Sequence, residues 1–423
     1  MTPAPRLVIA AECPTCGAPL DFGEGATTAR CGHCGSRLLL TGRGRVLAFH
    51  VRPRLDERDV LAIARGVAPT VGDARLYFLP YYRFTAEEFR WVIPDAVGGD
   101  AQPPDLERSG LDLEERHVER NFLACAWDGL GLYSLGVRPD ALRLSLFREE
   151  RVARLGRVVA AETAPDAALA HALRAADASR VVHRAVVGGL LSLVYYPYWV
   201  ATAPERLAII DAVAGTVASA DASPSVRDRL ERREEAGRDT VGFRPLVCPN
   251  CGWDLPPDGT LVVFFCASCG RAWEVSAERL EPVPARLVAT PAPGANVIHL
   301  PVWRVDVAAP DAAPLLVPAF RYRGLRLLVA LAARLTRARP ALPPADADGR
   351  HARSIAGGHL DRTDARALAR VVAFALDPGR AATLEPGDAS LVWLPFEMSG
   401  GALREPRTGF ALPATGLVRD AAA

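Results

Sequence analysis

Eight of the nine cysteines fall in four C-x-x-C pairs: Cys13/Cys16, Cys31/Cys34, Cys248/Cys251 and Cys266/Cys269. A thiolate can ligate a soft metal, exchange with a disulfide or attack an electrophile. Pairing two residues apart puts two sulfurs on one turn. Each second cysteine is followed by glycine, in CPTCG, CGHCG, CPNCG and CASCG. Glycine permits the φ > 0 turn that a metal knuckle needs. In both sets 14 residues separate the inner cysteines, and the sets lie 235 positions apart. That gap accommodates a strand, a turn and a returning strand, and LVVFFC at 261–266 is expected to be such a strand. Two knuckles on separate hairpins then close one four-sulfur site, the tetrahedral set that Zn²⁺ prefers at about 2.3 Å.

Other thiol chemistries fit less well. Redox exchange would use one C-x-x-C beside a βαβ unit. A catalytic zinc keeps an open position, and two complete four-cysteine sets leave none. MTPAPRLVIAAEC holds only five apolar residues before Glu12, too few for a secretory signal core. A cytoplasmic chain of this length uses such pairs for metal rather than for disulfides. Rubredoxin-like iron is a second option for the same ligands, since four cysteines alone do not separate the two metals. Cys125 stands unpaired in FLACAWDG and reads as a small buried hydrophobe. His33, inside CGHCG, reads as an exposed knuckle residue.

The two sets resemble the zinc-ribbon group found in transcription factors, primosomal proteins and many bacterial proteins, over roughly residues 10–40 and 245–275. The resemblance implies that Cys13, Cys16, Cys31 and Cys34 hold one ion and Cys248, Cys251, Cys266 and Cys269 another, two Zn²⁺ per chain. The remaining chain is similar to uncharacterised bacterial double zinc-ribbon proteins, which imply no activity.

No P-loop, G-x-G-x-x-G helix start, H-E-x-x-H or G-x-S-x-G is present. Gly129, Gly131 and Gly136 are wrongly spaced for a dinucleotide fingerprint. His351, His359, Asp361 and Asp364 form a polar segment that reads as solvated loop. The formal net charge of +1 excludes wholesale polyanion binding, and 50% hydrophobic content excludes disorder. All 50 basic residues are arginine, as in a high-GC bacterial genome. Locally, Arg30, Arg37, Arg43, Arg45, Arg52 and Arg54 accompany ribbon 1 without an acid among them, a candidate phosphate-contacting face. The aromatic-proline segments, with Tyr81, Tyr82, Tyr195, Tyr196, Tyr198, Trp199, Trp303 and Trp393, read as strand core. Any exposed part would offer a surface to a protein partner or a peripheral membrane contact.

The elements that position these residues follow a repeated plan. LPYYR at 79–83 answers LPVWR at 300–304, and LVYYPYW at 193–199 answers LVWLPFE at 391–397. RPDAL at 138–142 answers RPAL at 339–342, and helical stretches are expected at 166–185 and 361–376. Residues 56–67 predict an amphipathic helix, and LVYYPYWVAT, then APE, then RLAIIDAVAGTV predicts a hairpin, with Asp211 and Gly215 in the next turn. A proline inside each aromatic strand predicts an edge or a bulge. The uncharged run from Ala185 to Pro204 spans a membrane's length but has strand composition.

The expected fold class is therefore α+β, with two four-cysteine zinc ribbons each followed by a mixed α/β unit, in a tandem duplication. The expected layout is ribbon 1 at 1–45, an α/β unit at 46–222, a charged linker at 223–240, ribbon 2 at 241–280 and a second α/β unit at 281–423. The expected role is a non-catalytic bacterial adaptor or scaffold with a protein partner. The alternatives are a nucleic-acid-binding accessory protein using the arginine face, and an enzyme whose site spans the fold.

Overall fold

The computed structural model describes residues 7–94, 103–107, 109–125, 143–174, 180–204, 206–222, 230, 239–290, 296–308, 313–345 and 355–418. Ribbon 1 is two hairpins, β1 (Val8–Glu12) with β2 (Pro19–Gly23), and β3 (Thr28–Arg30) with β4 (Arg37–Thr41). Each hairpin turns through one C-x-x-C pair.

The first α/β unit runs β5 (Leu47–Val51), α1 (Glu57–Val67), β6 (Asp73–Val92), β7 (Asp112–Leu123), β8 (Arg143–Leu146), α2 (Glu149–Leu155), β9 (Arg157–Val158), α3 (Pro165–Ala172), β10 (Val181–Thr202), β11 (Leu207–Asp211) and β12 (Val217–Ala222). Helix α1 forms where its sequence predicts. Asp56 caps it by accepting the Asp59 N–H at 3.0 Å, and Val60 and Ala64 bury one face.

The long antiparallel pair β6–β10 is the spine of a ten-stranded sheet. Side chains alternate across a sheet, so adjacent aromatics face opposite ways. Tyr77, Leu79 and Tyr81, with Val194, Tyr196 and Tyr198, share a core with Ile9, Leu20, Leu38 and Leu40 of ribbon 1. On the other face Leu76, Phe78, Tyr82, Leu193 and Tyr195 pack with Val152 of α2 and Ala168 of α3. A strand covered on both faces must be apolar at nearly every position, which explains the tyrosine doublets and the uncharged run. The run from Ala185 is thus strand up to Thr202, and no helix among the described residues is long and apolar enough to cross a membrane.

Ribbon 2 follows as β13 (Gly242–Pro245), β14 (Val263–Phe265), β15 (Ala272–Val275) and β16 (Leu280–Val283). The second α/β unit runs β17 (Ala285–Leu287), β18 (Val297–Val307), β19 (Leu315–Pro318), α4 (Leu325–Ala338), α5 (Arg362–Leu376), β20 (Pro386–Ser399), β21 (Ala402–Arg404) and β22 (Ala411–Pro413). The fold is thus a mixture of helix and sheet carrying two cysteine clusters.

The sheets of the two units share a register. Pro80 faces Tyr195 as Pro301 faces Trp393. A short parallel strand borders each aromatic strand, with Ala48 opposite Leu193 and Ala285 opposite Leu391. Each aromatic strand then continues into a two-strand meander, β11–β12 or β21–β22. Both meanders turn on a buried acid. The Asp211 carboxylate accepts the N–H of Val213 and Ala214, and that of Glu405 accepts the N–H of Arg407 and Thr408. Gly215 and Gly409 follow at φ 73° and 71°. The ribbons depart from this correspondence. Ribbon 1 packs on the face holding Tyr196, whereas Val262, Val263 and Phe265 of ribbon 2 share the core of Trp393, whose register counterpart is Tyr195 on the opposite face.

Two expectations need correction. The helix expected over 166–185 ends at Ala172, and β10 has begun by Val181. Residues 175–179 lie outside the described residues, as does the whole RPDAL segment at 138–142. The prolines mark neither edge strands nor bulges. β10 and β20 are interior strands, and neither inner ladder shifts register at a proline. Pro197 stands between the stretch of β10 paired with β5 and that paired with β11, and Pro395 between the partners β17 and β21. Each lies at a break in the outer ladder, where a missing N–H costs least. Finally, helix α4 was not expected from the sequence.

The halves share a core. Phe89, Trp91, Ala185 and Val187 of the first unit pack with Trp303, Val371 and Trp393 of the second. The Trp91 indole N–H donates to Val371 O at 2.9 Å. Helix α4 begins after Gly324 without a side-chain cap of its own. The Glu115 carboxylate of β7 takes that role, accepting the Leu325 N–H at 3.1 Å. Asp364, in the first turn of α5, accepts the Gly188 N–H of β10 at 2.9 Å. Most of the predicted linker, 223–229 and 231–238, lies outside the described residues, while Asp239 pairs with Arg45.

Candidate metal centres

All four C-x-x-C turns have one backbone geometry. The N–H of the first cysteine donates to the carbonyl five residues on: Cys13 to Ala18, Cys31 to Ser36, Cys248 to Trp253 and Cys266 to Arg271, at 2.8–3.0 Å. The glycine N–H donates back to the first cysteine's carbonyl. Gly17, Gly35, Gly252 and Gly270 sit at φ 72°, 73°, 72° and 69°, a region that other residues enter only with strain.

This geometry brings the sulfurs together. Cys13 Sγ lies 3.8 Å from Cys34 Sγ, and Cys16 Sγ 3.8 Å from Cys31 Sγ. In ribbon 2 the Cys248–Cys269 and Cys251–Cys266 separations are both 3.6 Å. In each tetrad the four ligand atoms all lie within 4.8 Å of one another. These contacts are far longer than a disulfide bond of about 2.05 Å. They match the edge of a tetrahedron of sulfurs around one ion, about 3.8 Å for a metal–sulfur bond of about 2.3 Å. The residues therefore fit the metal that the sequence implies. Their chemistry is that of a closed structural site, and it does not separate zinc from iron.

Each tetrad straddles core and surface. Cys13 and Cys31 are buried with Leu20 and Leu38, and Cys248 and Cys266 with Leu246, Leu255 and Phe264. Cys16, Cys34 and Cys251 are exposed, and Cys269 is half-buried. The protons are unequally held. Ser36, whose hydroxyl lies 3.1 Å away, pulls the Cys34 thiol down to about 6. The Trp253 N–H pulls Cys251 down to about 7. Burial and neighbouring sulfurs push Cys266 up to about 12. Four adjacent thiols cannot all ionise without a cation among them, and a bound ion supplies it.

Other sequence candidates lie elsewhere. His33 is exposed on its knuckle. Cys125 is buried beside Tyr81, and burial followed by the Glu162 charge raises its thiol, the opposite of nucleophile activation. His117 hydrogen-bonds Glu87 at 2.9 Å. Asp361 is the N-cap of α5, so this stretch is helix start rather than solvated loop. His359 bonds the Thr260 hydroxyl at 3.1 Å, and His351 lies outside the described residues, as do Gly129, Gly131 and Gly136.

The ribbon-1 arginines are partly spent on internal pairs. Arg37 meets Asp254 at 3.2 Å, Arg43 meets Asp361 at 2.8 Å, and Arg45 meets Asp239 and Glu278 at 3.3 and 2.7 Å. Arg30, Arg52 and Arg54 are exposed. The aromatic strands leave little surface: Tyr81, Tyr82, Tyr195, Tyr196, Tyr198, Trp303 and Trp393 are buried, and Trp199 is partly so.

Sequence reasoning missed the groups that fasten ribbon 1 to the sheet. Arg83 of β6 is buried between Glu24, which follows β2, and Glu119 of β7, and the Ser192 hydroxyl also donates to Glu24. These residues are far apart in sequence, and only Arg83 falls in a noticed motif. Compared with known protein families, curated proteins and solved structures, the chain matches none.

Proposed function

We propose that the chain is a non-catalytic bacterial scaffold, in which two structural Zn²⁺ ions hold two ribbons against a duplicated α/β body that presents surfaces to a protein partner. The observation that carries this reading is the closure of both centres. Four cysteine sulfurs would fill every position around a tetrahedral ion, and each tetrad is rooted in a hydrophobic core rather than a cleft. Small ribbons bury too little apolar surface to fold alone, and a metal supplies the difference. The shared register of the two sheets and the paired acid turns support descent from one duplicated unit, with the second ribbon docked on the other face.

Nucleic-acid binding is the less favoured reading, because Arg37, Arg43 and Arg45 are turned toward acids of the chain itself. The test is affinity purification of the zinc-loaded chain from its native cytoplasm beside a Cys16→Ser/Cys34→Ser variant. A stoichiometric protein partner retained by the loaded chain and lost from the variant is the expected result. Co-purifying nucleic acid that survives physiological salt, with no enriched protein, would overturn it.

A further inference from the structure

We propose that the two metal centres are thermodynamically coupled through strand β4, so that an ion bound in one ribbon raises the affinity of the other. The proposal rests on the metal-binding reading above and adds a connection between the sites.

β4 belongs to both ribbons. It leads directly out of the Cys31/Cys34 knuckle and pairs with β3 on one edge. Its other edge pairs with β13, from Leu40 opposite Phe243 to Leu38 opposite Pro245. The ladder then ends on the Leu246 N–H, which donates to Arg37 O at 3.0 Å. One hydrogen bond thus joins a residue just past Cys34 to a residue just before Cys248.

Side-chain alternation divides the strand between two cores. Leu38 and Leu40 face ribbon 1 and its sheet. Leu39, 3% exposed, points the other way and packs with Leu246, Leu255, Leu261, Phe264 and Trp273 inside ribbon 2. The ribbons are fastened at further points. Thr27 donates its N–H to Gly259 O and its hydroxyl to Leu261 O, and the Gly42 N–H donates to Ala277 O. Arg37–Asp254 and Arg45–Glu278 bridge the rim.

The consequence follows from how such ribbons fold. Without an ion the four thiols no longer tie the two hairpins of ribbon 1 together, so emptying site 1 frays β3–β4 from their knuckle end. Fraying withdraws Leu39 from ribbon 2 and removes the template for β13. Linkage requires that site 2 affect site 1 by the same factor.

The experiment follows zinc release from the full-length protein by a competing chelator, with native mass spectrometry counting the ions. Two equal, independent sites would place about half the molecules in the one-ion form at mid-titration, and tenfold coupling lowers this to about a quarter. Wild type is expected at or below a quarter. Cys16→Ser/Cys34→Ser should weaken site 2 at least tenfold, and Cys251→Ser/Cys269→Ser should weaken site 1 by the same factor. Leu39→Ala keeps all eight ligands, so it decides the matter should the serine variants not fold: it should still bind two ions, with the one-ion form rising toward half. The proposal is overturned if each remaining site keeps its affinity within about twofold, or if Leu39→Ala leaves the one-ion population unchanged. A wild-type chain binding fewer than two ions would instead overturn the metal reading itself.

Discussion

Replacing Arg83 with methionine tests whether ribbon 1 is anchored by a buried ion pair. The Arg83 side chain is 4% exposed and that of Glu24 is 7% exposed, so both charges are nearly dry. Arg83 Nε lies 3.0 Å from Glu24 Oε2, and its other arm reaches Glu119, which is partly exposed. In Arg83→Met, Glu119 can turn to water, but Glu24 remains buried with the Ser192 hydroxyl, 3.2 Å away. Breaking a buried pair from one side costs about 3–5 kcal/mol. At an m-value of about 3 kcal/mol/M, that is a drop of roughly 1–1.7 M in the urea midpoint. Adding Glu24→Leu removes the stranded charge and should recover most of the loss, since apolar replacement of a buried pair is often neutral. The same motif supplies an internal control. Arg304 of LPVWR pairs with Asp306 at 37% and 50% side-chain exposure, so Arg304→Met should cost less than about 1 kcal/mol. Urea unfolding of the metal-loaded protein, followed by circular dichroism and tryptophan fluorescence, reads all three. A buried anchoring pair is ruled out if Arg83→Met shifts the midpoint no more than Arg304→Met, or if the double variant is as unstable as the single.

Three further outcomes are expected. Glu115→Ala uncaps α4 and should cost about 1 kcal/mol of stability in the same assay, with faster amide exchange at the Leu325 N–H. Burial, then the Asp361 charge, raises the Asp364 carboxyl to about 6, above its value in an unfolded chain. Its folded form therefore binds a proton more readily, and stability should fall as the pH rises from about 4 to 7; Asp364→Asn should flatten that slope by about 1–3 kcal/mol, visible in thermal melts across the range. Gly252→Ala meets no atom within 4 Å, yet it forces alanine to a φ of 72°. It should cost about 1 kcal/mol and weaken metal retention at ribbon 2 in a chelator competition.

Local features of this chain were legible from sequence and long-range ones were not. The cysteine tetrads followed from spacing alone, because a knuckle needs only a few consecutive residues and its glycine. Helices α1 and α5 are legible from their apolar stripes, whereas Asp361, read as solvated loop, is the cap of α5. Helix α4 does carry a signal in the sequence: Leu328, Leu331 and Leu335 recur at helical spacing and are buried on one face. Its N-terminal cap was invisible, since Glu115 lies two hundred residues earlier. The expected helix at 166–185 overran its end because Val181–Ala185, the short start of β10, carries too few residues for a period to separate a strand from the end of a helix. The proline rule failed because it assumes one continuous outer partner, and β10 and β20 each have two with a gap between. The arginine face looked free because its acids, Asp254, Glu278 and Asp361, come from the other half of the chain.

On this reading two closed four-sulfur metal sites hold the molecule together. Elemental analysis combined with metal-edge X-ray absorption on the purified protein tests it most directly. Two zinc ions per chain are expected, each surrounded by four sulfurs at about 2.3 Å. One ion per chain, iron in place of zinc, or a shell mixing sulfur with nitrogen or oxygen would contradict it.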